Sequence, residues 1–163
     1  FLPEEGRTKR LGNVVRPDKI LAIDGNIAQG KQVFFATEGI QCKNCHQIGG
    51  KGTQVGPDLS KIGKKYDRRQ ILESILEPSK QIDPKFVTYL VETDEGQLHS
   101  GLLVEQDDTK VVLKDAQNKL VHISTADVDL MTTQQKSLMP DLLLRDMTAR
   151  QVADLTAYLS SLK

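Results

Sequence analysis

The chain has 163 residues, of which 38% are hydrophobic, so it can bury the core of one domain with a sizeable insertion but not two full domains. Lysine plus arginine and aspartate plus glutamate both number 22, and the resulting formal charge of zero does not favour binding to nucleic acid or to an anionic membrane. No apolar run approaches the roughly 18 residues of a membrane span, and no signal peptide is recognisable. Because the sequence begins at Phe1, we expect a processed protein or a piece of a longer one.

The N-terminal residues 1–23 have no clear hydrophobic period, and we interpret them as a linker or wrapping segment. Asn26, followed three residues later by Gln29, predicts the start of a helix over about residues 27–37. We therefore expect the folded domain to extend over residues 24–163.

The stretch "QCKNCHQIGG" (41–50) contains both cysteines of the chain and one of its histidines, as Cys42, Cys45 and His46. In c-type haem attachment, two thiols at this spacing add to the two vinyl groups of haem, and the adjacent histidine binds the iron. C-x-x-C-H is the pattern of that attachment. We therefore favour a covalent haem.

Two other interpretations of the cysteine pair stay open at this point. A thioredoxin-like dithiol site would need a βαβ unit around the cysteines, and the flanking residues carry no such strand signal. A structural zinc site would need a fourth ligand, His99 or His122, from a distant segment. We interpret both of these histidines as partly exposed strand residues.

A glycine-rich segment, "GGKGTQVGPDLSKIGKK" (49–65), follows the cysteines and is predicted to be a loop. It lacks the residue order of a phosphate-binding P-loop, and no strand is predicted before it. In the next segment, Asp67 with Gln70 predicts the start of a third helix, which Pro78 ends.

Four β-branched and partly alternating runs then predict an antiparallel meander. They are "FVTYLVET" (86–93), "QLHSGLLVE" (97–105), "TKVVLKD" (109–115) and "KLVHIS" (119–124). A fifth run, "ADVDLM" (126–131), could close the meander into a small barrel. We expect these strands to form a small lobe packed on the rest of the domain.

The C-terminal segment predicts an amphipathic helix, because Thr148 and Gln151 form a capping-box pattern and apolar residues repeat at intervals of three and four. The apolar residues are Val152, Leu155, Leu159 and Leu162. Of the three methionines, Met147 is interpreted as an apolar residue packing on this helix and Met131 as a core residue. Met139 lies in "KSLMPD", where Pro140 stiffens a stretch with little helical pattern.

In their order along the chain, these motifs resemble those of a class I c-type cytochrome. The motifs are "GKQVFF" (30–35), "CKNCH" (42–46), "GPDL" (56–59), "SLMP" (137–140) and "DLTAYLSSL" (154–162). More narrowly, the chain is similar to the haem-binding domain at the C-terminus of large multidomain proteins of planctomycetes and their relatives.

The resemblance implies a mainly α cytochrome c fold, with three core helices around one covalent haem c. It also implies that the first and last helices cross closely at Gly30, with Phe34 and Tyr158 packing at the crossing. The fold would be interrupted by an inserted small antiparallel β lobe at about residues 84–131. An insertion is expected because His46 and Met139 are 93 positions apart, more than is usual in that fold.

The resemblance also implies the haem ligands. The haem would be attached through Cys42 and Cys45, with iron bound by His46 and Met139. The remaining candidates for the sixth position are an open site, Met131, Met147, His99 or His122.

Two further contacts near the haem follow from the resemblance alone. The Pro57 carbonyl would accept a hydrogen bond from the far ring nitrogen of His46, which fixes the orientation of the ring. Leu59 would lie against the porphyrin.

We interpret the protein as a carrier of single electrons rather than an enzyme, because an iron with six ligands has no vacant position for a substrate. Its donor would be a dehydrogenase or donor domain and its acceptor a periplasmic protein. Attachment of haem by thioethers outside the bacterial cytoplasm implies a periplasmic or exported protein. Two alternatives are a haem enzyme or gas sensor with a labile sixth ligand, and a partner-binding module that uses the β lobe.

Overall fold

A computed structural model describes residues 9–37, 39 and 42–163. The described chain divides into two compact units. The helical unit comprises the described residues up to Cys42 together with Leu59–Glu77 and Asp141–Lys163. The sheet unit comprises Lys43–Asp58 and Pro78–Pro140.

Among its described residues, five α-helices form the framework of the helical unit. They are α1 (Pro17–Leu21), α2 (Ile27–Ala36), α3 (Ile62–Lys65), α4 (Arg68–Leu76) and α5 (Ala149–Ser161). Single 3-10 turns are formed by Cys42–Asn44, Pro84–Phe86 and Thr125–Asp127.

The predicted helix starts are confirmed by their side-chain caps. Asn26 accepts a hydrogen bond from the Gln29 amide at the start of α2. Both Asp67 with Gln70 and Thr148 with Gln151 form complete capping boxes at the starts of α4 and α5. Such caps satisfy backbone N–H groups that have no partner within the helix, which is why they mark where each helix begins.

The segment interpreted as a linker or wrapping segment is partly structured. Its residues 1–8 lie outside the described part of the chain. The rest contains α1, whose Ile20 is buried, and the Leu11 amide donates to the Met147 carbonyl at 2.8 Å. This described part is therefore held within the helical unit by backbone hydrogen bonds and by burial of an apolar side chain.

Helices α2 and α5 approach each other closely at Gly30, as predicted. A Cβ atom at position 30 would collide with the Asp154 carbonyl oxygen and would lie only 2.7 Å from Tyr158 Cβ. Beside this point the rings of Phe34 and Tyr158 meet edge to face, with centroids 6.4 Å apart. Only glycine lets the two backbones come this close, and the aromatic contact fills the space beside them.

Arg68, the first residue of α4, forms hydrogen bonds with α5 and with the end of α1 and the segment that follows it. Its guanidinium donates to the carbonyl oxygens of Leu21, Ile23 and Ala153 and, through Nε, to Thr156 Oγ1 at 3.1 Å. One arginine side chain therefore connects the start of α4 to the backbone after α1 and to α5.

The sheet unit contains a short hairpin and a five-stranded antiparallel sheet. The hairpin pairs β1 (Gln47–Ile48) with β2 (Lys51–Gly52). The strands of the sheet are β3 (Thr88–Thr93), β4 (Leu98–Gln106), β5 (Lys110–Lys114), β6 (Leu120–Ser124) and β7 (Val128–Gln134). Their order is β6-β5-β4-β3-β7.

All five predicted runs are strands, and the fifth pairs with the first rather than with the fourth. Strand β7 lies against β3, with Val91 opposite Met131, and no pairing between β6 and β7 is found in the described residues. Strand β4 bends at an irregularity between Leu103 and Glu105. The hydrogen-bonded order is therefore that of an open sheet with β6 and β7 at its edges.

The prediction of a mainly α fold with a small inserted β lobe is wrong. The described chain has 33% helix and 25% strand, and only three of its helices have seven or more residues. The strands also bury a core of their own, formed by Val91, Val111, Leu113 and Ile123. Alternate side chains of the strands face this core. The sheet is therefore a structural unit with its own packed interior and not a small lobe on a helical domain.

Candidate functional site

Cys42 begins a single 3-10 turn, Cys42–Asn44, and Cys45 follows directly after it. Both cysteines are partly buried. Neither cysteine of the described motif forms a disulfide bond. Burial raises the pKa of the Cys45 thiol, which favours its neutral form. The motif thus presents two thiols separated by two residues, as covalent attachment to the vinyl groups of haem requires.

The segment after the motif folds back onto it through backbone hydrogen bonds. The Thr53 amide donates to the Lys43 carbonyl at 2.9 Å. The Val55 and Gly56 amides both donate to the Cys45 carbonyl, at 3.0 and 2.7 Å. The hairpin β1–β2 thereby brings residues 53–56 alongside Lys43 and Cys45, within the sheet unit.

His46 is oriented by the Pro57 carbonyl. His46 Nδ1 lies 2.9 Å from that oxygen, and because a carbonyl can only accept, Nδ1 must carry the proton. The neutral ring then presents the lone pair of Nε2. Burial lowers the pKa of His46, although the hydrogen bond to Pro57 acts in the opposite direction. Burial thus favours the neutral imidazole, which is the form that binds a metal.

Gly56 is a functional position that the sequence reasoning missed. A Cβ atom there would lie 2.6 Å from His46 Cε1 and 2.9 Å from its Nδ1. Any side chain at position 56 would therefore push the imidazole away from its place beside Pro57. The sequence shows a glycine immediately before Pro57. Its role could not be read there, because it depends on a contact with the ring of His46, ten positions earlier.

Met139 also belongs to the sheet unit and is partly buried. Its amide donates to Ser137 Oγ at 3.1 Å, and the Ser137 amide donates to Ser79 Oγ at 3.1 Å. Two serine side chains therefore hold the backbone of the "SLMP" segment. Ligation of iron by Met139 stays a prediction.

The other residues considered as ligands lie in the places expected for them. Met147 is fully buried in the helical unit, and Met131 packs against the core of the sheet. His99 and His122 lie in β4 and β6, where the first is partly buried and the second exposed. Leu59, just before α3, is partly buried, and its contact with the porphyrin stays a prediction.

The residues of the motif fit a covalent haem better than they fit the two alternatives. Within the described residues, no group of three or more His, Cys, Asp or Glu side chains could hold a metal ion, which removes the support for a protein-only zinc site. The cysteines are followed by a two-stranded hairpin instead of the helix of a βαβ unit. In contrast, two thiols and a histidine with an available Nε2 are what haem c needs from this side.

Comparisons with known proteins agree with this chemistry. The family model described as Cytochrome c matches residues 27–112, which is more than half of the chain. A search of curated proteins found no match. In the described part of the chain, no helix has the length and apolar character to span a membrane; the longest, α5, has 13 residues. The chain belongs to the cytochrome c family and is a module that binds haem c and transfers electrons.

Proposed function

We propose that this chain carries single electrons on one haem c, attached through Cys42 and Cys45, with His46 and Met139 as the axial ligands of iron. The observation that carries the proposal is the hydrogen bond from His46 Nδ1 to the Pro57 carbonyl, because it leaves Nε2 as the ring atom available to iron. Bound haem supplies a one-electron couple at its iron.

The rest of the chain is proposed to set the reduction potential of the haem and to prevent other reactions at its iron. A methionine ligand raises the potential relative to a second nitrogen ligand, and so does exclusion of water from the haem. With His46 and Met139 both bound to it, the iron would have no vacant coordination position for a substrate. The protein is therefore proposed to be a carrier and not an enzyme.

The electron donor is proposed to be a dehydrogenase or a donor domain, and the acceptor another periplasmic carrier. A periplasmic or exported location follows from where thioether bonds to haem are made. The resemblance to the C-terminal haem domains of planctomycete proteins supports a donor on the same polypeptide.

We also propose that the five-stranded sheet is an insertion into a class I cytochrome. The 93 positions between His46 and Met139 support this interpretation, since the segment from β3 to β7 takes up about half of that interval. Helix α2 and the haem motif precede the sheet in sequence, and α5 follows it.

Optical spectroscopy with matched methionine variants tests the proposed ligands. Ferric and dithionite-reduced spectra and a pyridine haemochrome would be recorded for the wild type, Met139→Ala and Met131→Ala. Met131 is the control because it packs in the sheet core. We expect low-spin c-type bands and the weak long-wavelength ferric band of iron–sulfur ligation, with only the Met139 variant losing that band.

Two results would contradict the proposal. A high-spin wild type, or a Met139→Ala spectrum identical to that of the wild type, would exclude Met139 as the ligand. Rapid binding of carbon monoxide to the ferrous wild type would then support a haem enzyme or gas sensor instead.

A further inference from the structure

A lysine of the sheet contacts the backbone of the segment that orients His46. Lys114, the last residue of β5, donates from Nζ to the Gln54 carbonyl at 3.1 Å, across 60 positions of sequence. Both residues belong to the sheet unit, and Lys114 is partly buried. The contact therefore links the end of β5 to the segment between the hairpin and Pro57.

The peptide group that Lys114 contacts is bonded at both ends. Its carbonyl oxygen, from Gln54, accepts from Lys114, and its N–H, from Val55, donates to the Cys45 carbonyl at 3.0 Å. A charged donor on the oxygen polarises the peptide and strengthens the hydrogen bond that its N–H makes. Lys114 thus supports a bond that ends on the residue adjacent to His46.

The same segment continues directly to the partner of the histidine. Gly56, next in the chain, donates to the Cys45 carbonyl at 2.7 Å and fits against the imidazole. Pro57 then places its carbonyl 2.9 Å from His46 Nδ1. A displacement of the Gln54–Val55 peptide would therefore also displace Gly56 and Pro57, which fix the position of the His46 ring.

We propose that Lys114 is a positioning residue for His46, acting through the Gln54–Val55 peptide. This inference deepens the proposed function and rests on His46 being an iron ligand. It gives the sheet a role at the haem site that does not depend on a partner protein, since the ammonium group of β5 limits the movement of the segment 54–57. The chemistry required of residue 114 is a cationic hydrogen-bond donor on a long side chain.

The chain offers a matched control on the same strand. Lys110, at the other end of β5, pairs with Glu105 at 3.0 Å and makes a surface ion pair. Lys110→Met and Lys114→Met remove the same charge from the same strand. Lys114→Arg keeps a charged donor at the proposed position.

The test uses the holoprotein in its ferrous state, which is suited to NMR, and measures hydrogen exchange of the Val55 and Gly56 amides and of the His46 Nδ1–H. In Lys114→Met we expect exchange at these three groups to rise about tenfold, the low end of what a hydrogen bond to a charged group contributes. Lys110→Met should leave all three at their wild-type rates. Lys114→Arg should restore most of the protection.

Three outcomes would overturn the proposal. One is unchanged exchange at Val55, Gly56 and His46 in Lys114→Met. Another is an equal rise in Lys110→Met, which would indicate a general loosening of the sheet. The third is a failure of Lys114→Arg to restore protection. The optical spectrum of the wild type separates this result from the proposed function, because the spectrum reports whether Met139 binds the iron, whereas the differences in exchange among the Lys114 and Lys110 variants report what Lys114 contributes.

Discussion

The two units of this cytochrome reach a packed interior in different ways. In the helical unit, backbones come into direct contact, as at Gly30, and the partly buried Arg68 donates hydrogen bonds to backbone carbonyl oxygens. In the sheet unit, the interior is formed by apolar side chains that alternate along the strands, among them the fully buried Val91. Packing in the helical unit therefore depends on the absence of a side chain at one position. Packing in the sheet unit depends on the presence of side chains at many positions.

The difference bears on where the proposed haem ligands lie. The segment Lys43–Asp58, which contains Cys45 and His46, belongs to the sheet unit, as does Met139. Cys42 is the last residue of the first segment of the helical unit. The stability of the helical unit and the orientation of His46 should therefore respond to different substitutions.

Gly30→Ala should have the largest effect, and it should be an effect on stability. The new methyl group would collide with the Asp154 carbonyl and with Tyr158, so α2 and α5 would have to separate. Overpacking of this kind, at a backbone contact that cannot yield, should lower the free energy of unfolding by about 3 kcal/mol. Urea unfolding followed by circular dichroism measures this change in the free energy of unfolding.

A control on the same helix separates the collision from a change in helix propensity. Lys31 is exposed on α2, and Lys31→Ala should change the free energy of unfolding by less than about 0.5 kcal/mol. If Gly30→Ala were as stable as Lys31→Ala, the close approach of the two helices would not be a source of stability.

Gly56→Ala should act on the haem site rather than on the helical unit. A methyl group would lie within 2.6 Å of the His46 ring, and its displacement should cost about 2 kcal/mol. We expect weaker low-spin bands and a loss of protection at the His46 Nδ1–H, measured by optical spectroscopy and NMR.

Gly49→Ala is the matched control for Gly56→Ala. Gly49 lies in the hairpin with a φ of +58°, and no atom lies within 4 Å of the place that a methyl group would take, so alanine there strains the backbone without touching the ring. An equal spectral change in both variants would show that the hairpin as a whole, and not contact with the imidazole, controls His46.

Val91→Ala tests the core of the sheet. Val91 is fully buried, and removal of two methyl groups should lower the free energy of unfolding by about 2 kcal/mol through lost burial and the cavity that remains. Val104, which is 51% exposed on β4, gives the control, because its replacement by alanine should cost little. Equal losses for the two variants would argue against a packed core on this face.

Local patterns predicted most of the elements correctly. The caps at Asn26, Asp67 and Thr148 are formed by residues three positions apart, so the signal for each lies within one turn of helix. The strand runs were equally readable, because alternation shows within a single short run. The haem motif was recognisable for the same reason, since Cys42, Cys45 and His46 lie within five positions.

What the sequence did not predict depends on contacts between distant segments. The fold class was wrong although the five strand runs were recognised, because the weight of the sheet in the fold depends on pairings such as that of β7 with β3, far earlier in the chain, and no local pattern specifies that partner. Gly56 was missed because its role is to leave space for His46. Lys114 was missed because its partner, the Gln54 carbonyl, is a backbone atom that any residue provides.

Asp107, in the turn between β4 and β5, should give the smallest effect and one that depends on pH. Hydrogen bonds from the Thr109 hydroxyl and amide and from the Lys110 amide lower the pKa of its carboxyl group, and the charge of Lys110 adds to this. A pKa that is lower in the folded state stabilises the fold above the unfolded value near 3.8. That contribution is lost as the pH falls through the folded pKa.

Asp107→Asn keeps an oxygen that can accept the same hydrogen bonds but cannot titrate. The wild type should be the more stable protein near neutral pH, and the difference should shrink below about pH 4, where its carboxylate is protonated. Urea midpoints measured from about pH 7 to about pH 3 give the comparison, with the neighbouring Asp108→Asn as the control. A difference that is constant over this range would show that the turn depends on its geometry alone, whereas a shrinking one would place a small titratable contribution in the sheet unit.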